Sequence, residues 1–193
     1  MSRNAFSILP VIEKRYSLRA FADRPVEREK ILTCIEAARL APSAENSQPW
    51  RFVVLDDPEL KKAFGEAVFS GVYRMTRFAL SAPVLIVILA KLDIVANRIG
   101  RWIQGTQYYL LDIGIAGEHL VLQAQALGLG TCWIGWFDAK KALQFLRLSK
   151  GLRPCAILAM GYPKFPERMP SRKRKKLDEI LIWNPKLPQK EEK

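Results

Sequence analysis

The sequence predicts one domain of intermixed helices and strands, of the α/β or α+β class, over residues 1–193. Three observations carry this expectation. Helix-like and strand-like segments intermix along the chain. Two continuous apolar runs, 83–90 and 154–160, have the composition of strands buried on both faces. Neither a repeat nor an internal linker divides the chain. With 49% hydrophobic and 26% charged residues, disordered, collagen-like and coiled-coil classes are excluded. A chain of this size can bury roughly 70% of its unfolded surface.

Taken in order, residues 5–14 predict a short helix, followed by a polar, basic segment through Phe21. Residues 26–40 predict a helix, with Ile31, Leu32, Ile35 and Ala38 on one face. Residues 41–49 form a Ser- and Asn-rich loop bracketed by Pro42 and Pro49. Aromatic and β-branched content makes 50–55 a strand. Asp57-Pro58 opens a helix to about residue 68, because proline suits a first turn. The buried strand 83–90 follows, then the longest helix, about 103–127.

That long helix carries Leu110, Ile113, Gly114, Gly117, Leu120, Val121, Ala124 and Leu127 in steps of one to four. Its two glycines cost about 1 kcal/mol each relative to Ala. Their presence predicts close approach of another element, with a second subunit as one candidate. Gly128 and Gly130 end the helix. Residues 132–136 read as extended, 139–146 as a helix and 154–160 as the second buried strand. After Gly161 come Pro163, Pro166 and Pro170, then a basic run at 171–176. Residues 189–193 are expected to be disordered.

The formal charge is +12 and the pI about 9.8, which admits nucleic acid, a membrane surface or a phosphorylated small molecule as partner. The longest purely apolar run has seven residues, against roughly 20 for a membrane span. The first residues lack a signal-peptide pattern. Cys34, Cys132 and Cys155 are odd in number and widely spaced, as expected of free thiols in a reducing cytoplasm. With the lone His119, they offer no ligand pairs at zinc-finger spacing, so no metal is expected.

Several chemistries fail on context. Gly128-Leu129-Gly130 follows a helix, and Trp133 stands where a dinucleotide site needs its third glycine. P-loop and nucleophile-elbow motifs are absent. Cys132 or Cys155 with His119 would make a nucleophile pair, but buried cysteines more often serve as small hydrophobes. Residues 164–193 hold ten Lys/Arg against five acids. This tail lacks the interleaved aromatics of a nucleic-acid surface, so neither nucleic acid nor membrane is expected as partner.

A phosphate site accounts for the basic residues better. Arg15 and Arg19 flank Ser17 at the spacing of a clamp that combines charge-assisted bonds with a hydroxyl donor. The loop Pro42-Ser43-Ala44-x-Asn46-x-Gln48-Pro49-Trp50 adds two amides. Each is a donor–acceptor pair suited to a pyrimidine-dione edge.

Together these segments resemble the nitroreductase family of FMN-dependent oxidoreductases. Arg15-Tyr16-Ser17-x-Arg19-x-Phe21 resembles the family's phosphate-binding opening. The loop from Pro42 to Trp50 resembles its P-S-x-x-N-x-Q-P-W motif, and Gly128-x-Gly130-Thr131-Cys132-Trp133-Ile134-Gly135 its G-L-G-T-C-W-I-G segment. Gly161-Tyr162-Pro163 followed by Arg172-Lys173-Arg174 is similar to its closing elements. The match in order and spacing runs over about residues 8–183 and overlaps a basic C-terminal segment, 164–193.

The resemblance implies an α+β three-layer fold with a mainly antiparallel central sheet and an intertwined homodimer holding two FMN sites. Arg15, Tyr16, Ser17 and Arg19 would hold phosphate, ribityl chain and ring edge, with Arg172 and Arg174 closing on the phosphate. Pro42, Ser43, Ala44, Asn46 and Gln48 would reach in from the other subunit. Trp133, Ile134 and Gly135 would lie against the ring, and Arg77 beside its pyrimidine edge. The implied activity passes a hydride from NAD(P)H through flavin to a nitroaromatic, quinone or enone in ping-pong order. Flavin fragmentation, dehalogenation and non-catalytic flavin sensing are alternatives within the family. Two departures stand out: Trp136 replaces a common second glycine, narrowing the ring-facing segment, and Tyr16 replaces Arg or His.

Overall fold

The computed structural model describes residues 7–92, 106–149, 151–167 and 170–185. Five helices are described: α1 (Leu9–Lys14), α2 (Arg28–Arg39), α3 (Pro58–Val68), α4 (Tyr108–Ala126) and α5 (Ala139–Leu146). The strands are β1 (Trp50–Leu55), β2 (Val84–Lys91), β3 (Gly130–Ile134) and β4 (Leu152–Gly161). They form one sheet in the order β1-β2-β4-β3, with every neighbouring pair antiparallel. Three-residue 3-10 turns lie at Ala44–Asn46 and Leu177–Glu179, and a longer 3-10 segment at Gly71–Ser81.

The central strands explain the layers. On β2, Val84, Ile86, Ile88 and Ala90 pack with Leu158 and Met160 of β4 against α2 and α4. The alternate residues Leu85, Val87 and Leu89, with Ile157 and Ala159, pack against α3, α5 and the 71–81 segment. Period-two side chains thus feed two cores. This is why β2 is apolar without alternation. Each such Leu, Ile or Val contributes about 1.5–3 kcal/mol by burial.

Local chemistry sets the ends of the elements. The Asp57 carboxylate accepts the Leu60 N–H at 2.8 Å and opens α3. Asp138 accepts the N–H groups of Lys140 and Lys141 and opens α5. Gly128, at φ +76°, turns the chain out of α4 in a left-handed conformation.

The structure corrects several expectations. Leu32 is 57% exposed, and Cys34 takes its place between Ile31 and Ala38 on the buried face of α2. Leu110 faces outward on α4. A Cβ on Gly117 would fall 2.1 Å from the Trp133 ring, so the close approach comes from a side chain of this same chain. A Cβ on Gly114 meets nothing within 4 Å. Strand β3 ends at Ile134, leaving Gly135 and Trp136 beyond it. The predicted helix start at 103–105 and the tail 189–193 lie outside the described residues. No described helix is long and apolar enough to cross a membrane.

Candidate functional site

The basic opening segment is laid along the exposed edge of β3. Ser17 bridges Thr131 in parallel, and the Leu18 N–H donates to the Thr131 carbonyl at 2.9 Å. Farther on, Phe21 bridges Pro163. Leu18 and Phe21 are buried, while Ser17 and Arg19 are exposed. Alternation over 17–19 therefore anchors Leu18 and presents Ser17 and Arg19; it breaks at the exposed Ala20, and Phe21 is buried where the chain bridges Pro163.

Arg172 reaches this segment from far along the sequence, donating to the carbonyls of Arg15 and Glu13. Arg15 Nε lies 3.9 Å from Glu118 on α4. The Arg19 guanidinium sits over the Phe78 ring at 5.8 Å. Tyr16, Ser17, Leu18, Arg19, Ala20, Phe165 and Pro170 line a cavity of about 300 Å³. Tyr16 also lines a second cavity, of about 640 Å³, with Lys14, Arg24 and Tyr162 among its other walls. Arg174 turns instead to the neighbouring Lys173 carbonyl.

Residues 133–136 lead away from the same edge. Trp133 fills the space over Gly117, and its Nε1 donates to Glu118 at 3.4 Å. Glu118 therefore ties Trp133 and Arg15 together. Ile134 is buried in the opposite core. With both side chains committed to packing, the strand offers its backbone and the exposed Gly135 to a ligand. Trp136 docks on the 71–81 segment, which also carries the exposed Arg77.

That 3-10 segment is the part sequence reasoning missed. Phe78 lies under Arg19, and Thr76 Oγ1 donates to the Trp136 carbonyl at 2.8 Å, so one segment touches both pieces of the site. Its signal was the three-residue spacing of Tyr73, Thr76 and Ala79, which a 3-10 helix places on one edge.

The loop at 42–48 is shaped differently. Glu45, Asn46 and Gln48 adopt φ of 52°, 52° and 44°. Such left-handed residues cost of order 1–3 kcal/mol each and persist where surroundings hold them. The Gln48 N–H donates to Ser43 Oγ at 2.9 Å, and its Nε2 to Asn46 Oδ1 at 3.0 Å. The Ala44 N–H donates to Asp112 Oδ1 at 3.0 Å. Asp112 is only 3% exposed, and its Oδ2 has no hydrogen-bond partner. Burial pushes its carboxyl above the usual range, against the Ala44 N–H and the Ser47 hydroxyl. Pro42 is exposed at the start of the loop. Asp112 and Glu118 stand about 9 Å apart along α4, so the loop and the arginines use different parts of one helix.

The thiols do not suit nucleophilic catalysis. Burial pushes Cys34 up to about 12 and raises Cys132, with Arg19 and Arg15 opposing the latter in part. His119 Nδ1 lies 3.3 Å from the Ala37 carbonyl, on the α2 side of the sheet, whereas Cys132 belongs to the other core. Two donors that line the smaller cavity, the exposed Ser17 hydroxyl and the exposed Arg19 guanidinium, suit a phosphate monoester. The open space at Gly135, where a Cβ would meet nothing within 4 Å, suits the ring of a flavin mononucleotide.

A model of the Nitroreductase family matches residues 12–77 and 75–162. An NADH dehydrogenase from Thermus thermophilus is 31% identical over 213 residues, spanning 91% of this chain and 98% of its own. Iodotyrosine deiodinase 1 from Rattus norvegicus is 27% identical over 198 residues, spanning 89% and 67%. The crystal structure of a nitroreductase family protein from Clostridium novyi NT superposes with a TM-score of 0.72. It is 33% identical and the match covers 82% of this chain and 86% of that one.

Proposed function

The chain belongs to the nitroreductase family and is an oxidoreductase, and from this premise we propose that it is an FMN-dependent NAD(P)H oxidoreductase acting on electron-poor acceptors. The observation that carries this reading is the convergence of Arg172 on the Arg15 segment, beside the cavity lined by Ser17 and Arg19. Two basic clusters more than 150 residues apart in sequence meet at one place of phosphate-binding chemistry.

Ser17 and Arg19 would hold the phosphate, with Arg15 adding charge from the Glu118 side. Arg172 braces the segment through its carbonyls, and Arg174 would add a second charge to the phosphate. Tyr16 would hold the ribityl chain. The backbone at Trp133, Ile134 and Gly135 would hold the ring, where glycine leaves open space. Arg77 would supply a cation that favours negative charge on the ring's pyrimidine edge. Bound FMN would supply hydride-transfer chemistry between NAD(P)H and a nitroaromatic, quinone or enone, a ping-pong exchange at one site. No protein nucleophile is needed, in keeping with thiols held protonated by burial.

The functional unit in this reading is a homodimer. On α4, Leu110, Leu111 and Ile115 are exposed around the open Gly114, and Ile8, Leu9 and Ile12 are exposed at α1. Apolar surface of this kind is suited to a partner copy. Through that interface the loop carrying Pro42, Ser43, Ala44, Asn46 and Gln48 reaches the other protomer's site. The three free thiols suit a reducing, cytoplasmic setting. Deiodination is the second reading, favoured by the Rattus norvegicus relative.

Titration of the purified protein with FMN tests the proposal. One FMN is expected per chain, with affinity at least about tenfold lower in Arg19→Ala. Protein that takes up no FMN contradicts it. Release of iodide from iodotyrosine, without turnover of nitroaromatics, favours the second reading.

A further inference from the structure

Trp136 is held at three points. Its Nε1 donates to the Val72 carbonyl at 3.0 Å. Its own carbonyl accepts from Thr76 Oγ1 at 2.8 Å. Its ring meets Tyr73 with centroids 5.2 Å apart and planes tilted by 52°. Yet 56% of the residue stays exposed. A surface indole can satisfy its N–H with water and rotate freely. This one is bonded to backbone and packed on a second ring, so it stands in one orientation.

Its neighbours give that orientation a use. Gly135 precedes it with open space where a side chain would be. Val72 and Met75 are 73% and 86% exposed on the segment that holds the indole. A bare backbone floor thus adjoins a fixed aromatic wall with an apolar rim. Flat rings gain offset or edge contacts with such a wall. A body with bulk above and below its plane meets an indole that can yield only by breaking the Val72 bond and leaving Tyr73.

We propose that Trp136, clamped by Tyr73 and Val72, is a specificity-determining wall that selects flat aromatic acceptors over acceptors with out-of-plane bulk. The proposal rests on the FMN reading above, in which Gly135 borders the ring. It places the selectivity of this chain in a residue pair that adjoins the residues assigned to the flavin.

Calorimetric titration of the FMN-loaded protein with two non-reducible acids of equal charge and similar size, 2-naphthoate and 1-adamantanecarboxylate, tests it. The parent is expected to bind the flat acid at least about tenfold more tightly. Trp136→Gly should bring the two within about threefold, and Trp136→Phe should retain most of the preference. Tyr73→Leu, which frees the indole without touching the 133–136 backbone, should lose part of it. In turnover, kcat/KM for a quinone with a bulky substituent should rise in Trp136→Gly relative to that for a nitronaphthalene. An unchanged preference in FMN-loaded Trp136→Gly overturns the proposal. If that variant does not fold, an unchanged preference in Tyr73→Leu overturns it. Absence of FMN uptake by the parent, read from absorbance before any ligand is added, identifies failure of the underlying functional reading instead.

Discussion

The two halves of the candidate site are held by different forces. The Arg15–Arg19 half is stitched to β3 by backbone bonds and anchored by buried Leu18 and Phe21. The 42–48 half is a loop with three left-handed residues, tied to α4 through the Asp112 carboxylate. The first is a continuation of the core. The second is shaped by polar bonds beside an outward apolar surface. Disturbing the anchors of the first should therefore be read mainly in stability, and disturbing the second mainly in binding.

Gly117→Ala gives the largest expected effect and strikes the strand half. Its Cβ would sit 2.1 Å from the Trp133 ring, so the indole must move off Glu118. Overpacking of this kind costs about 1–3 kcal/mol, measurable by urea unfolding. FMN affinity should fall with it, because the 133–135 backbone shifts.

Asp112→Ala strikes the loop half. It removes the acceptor of the Ala44 N–H. Stability should change by about 1 kcal/mol or less, while FMN affinity drops roughly tenfold. Comparable losses of stability in the two variants would erase the distinction between the halves.

Asp112→Asn sharpens it. The variant keeps an acceptor for Ala44 and removes the buried charge. Burial raises the Asp112 carboxyl above its ordinary 3.8, so the fold favours the neutral form. Its stabilising contribution in the parent is full below that unfolded value and is lost as pH rises through the folded one. The stability of Asp112→Asn relative to the parent should therefore increase as pH rises above about 4. Unfolding curves across a pH series read this directly.

The smallest effect lies at the margin of the strand half. The Tyr162 hydroxyl donates to Glu27 at 2.6 Å and holds its carboxyl down at about 2. In Tyr162→Phe, Glu27 should return toward 4.5, followed by NMR titration. The stabilisation this bond gives is present above the ordinary value and fades as pH falls toward 2.

Much of the fold was legible because its elements are locally consistent. The strand at Trp50–Leu55 and the helices at Pro58–Val68 and Ala139–Leu146 carry their own composition or caps, and the observed bounds match the expected ones. Leu32 was misplaced because apolar spacing cannot tell a helix face in the core from one left outside. On α4, apolar residues surround much of the helix, so the inward set around Ile113 and Leu120 could not be separated from Leu110 and Leu111 by pattern. The Gly71–Ser81 segment is a 3-10 helix, and its three-residue spacing matches neither the α-helical nor the strand period. At the site, motif residues named Ser17, Arg19 and Arg172, but their meeting depends on strand order and a crossover of over 150 residues. The role of Glu118, shared between Arg15 and Trp133, had no sequence signal at all.

The proposed function requires a flavin that cycles between reductant and acceptor. Anaerobic mixing of the FMN-loaded protein with NADH or NADPH, followed by a nitroaromatic or quinone, measures that cycle. The visible flavin absorbance is expected to fall with at least one nicotinamide and to return on addition of the acceptor. Flavin that stays oxidised in the presence of both nicotinamides would contradict the proposed function.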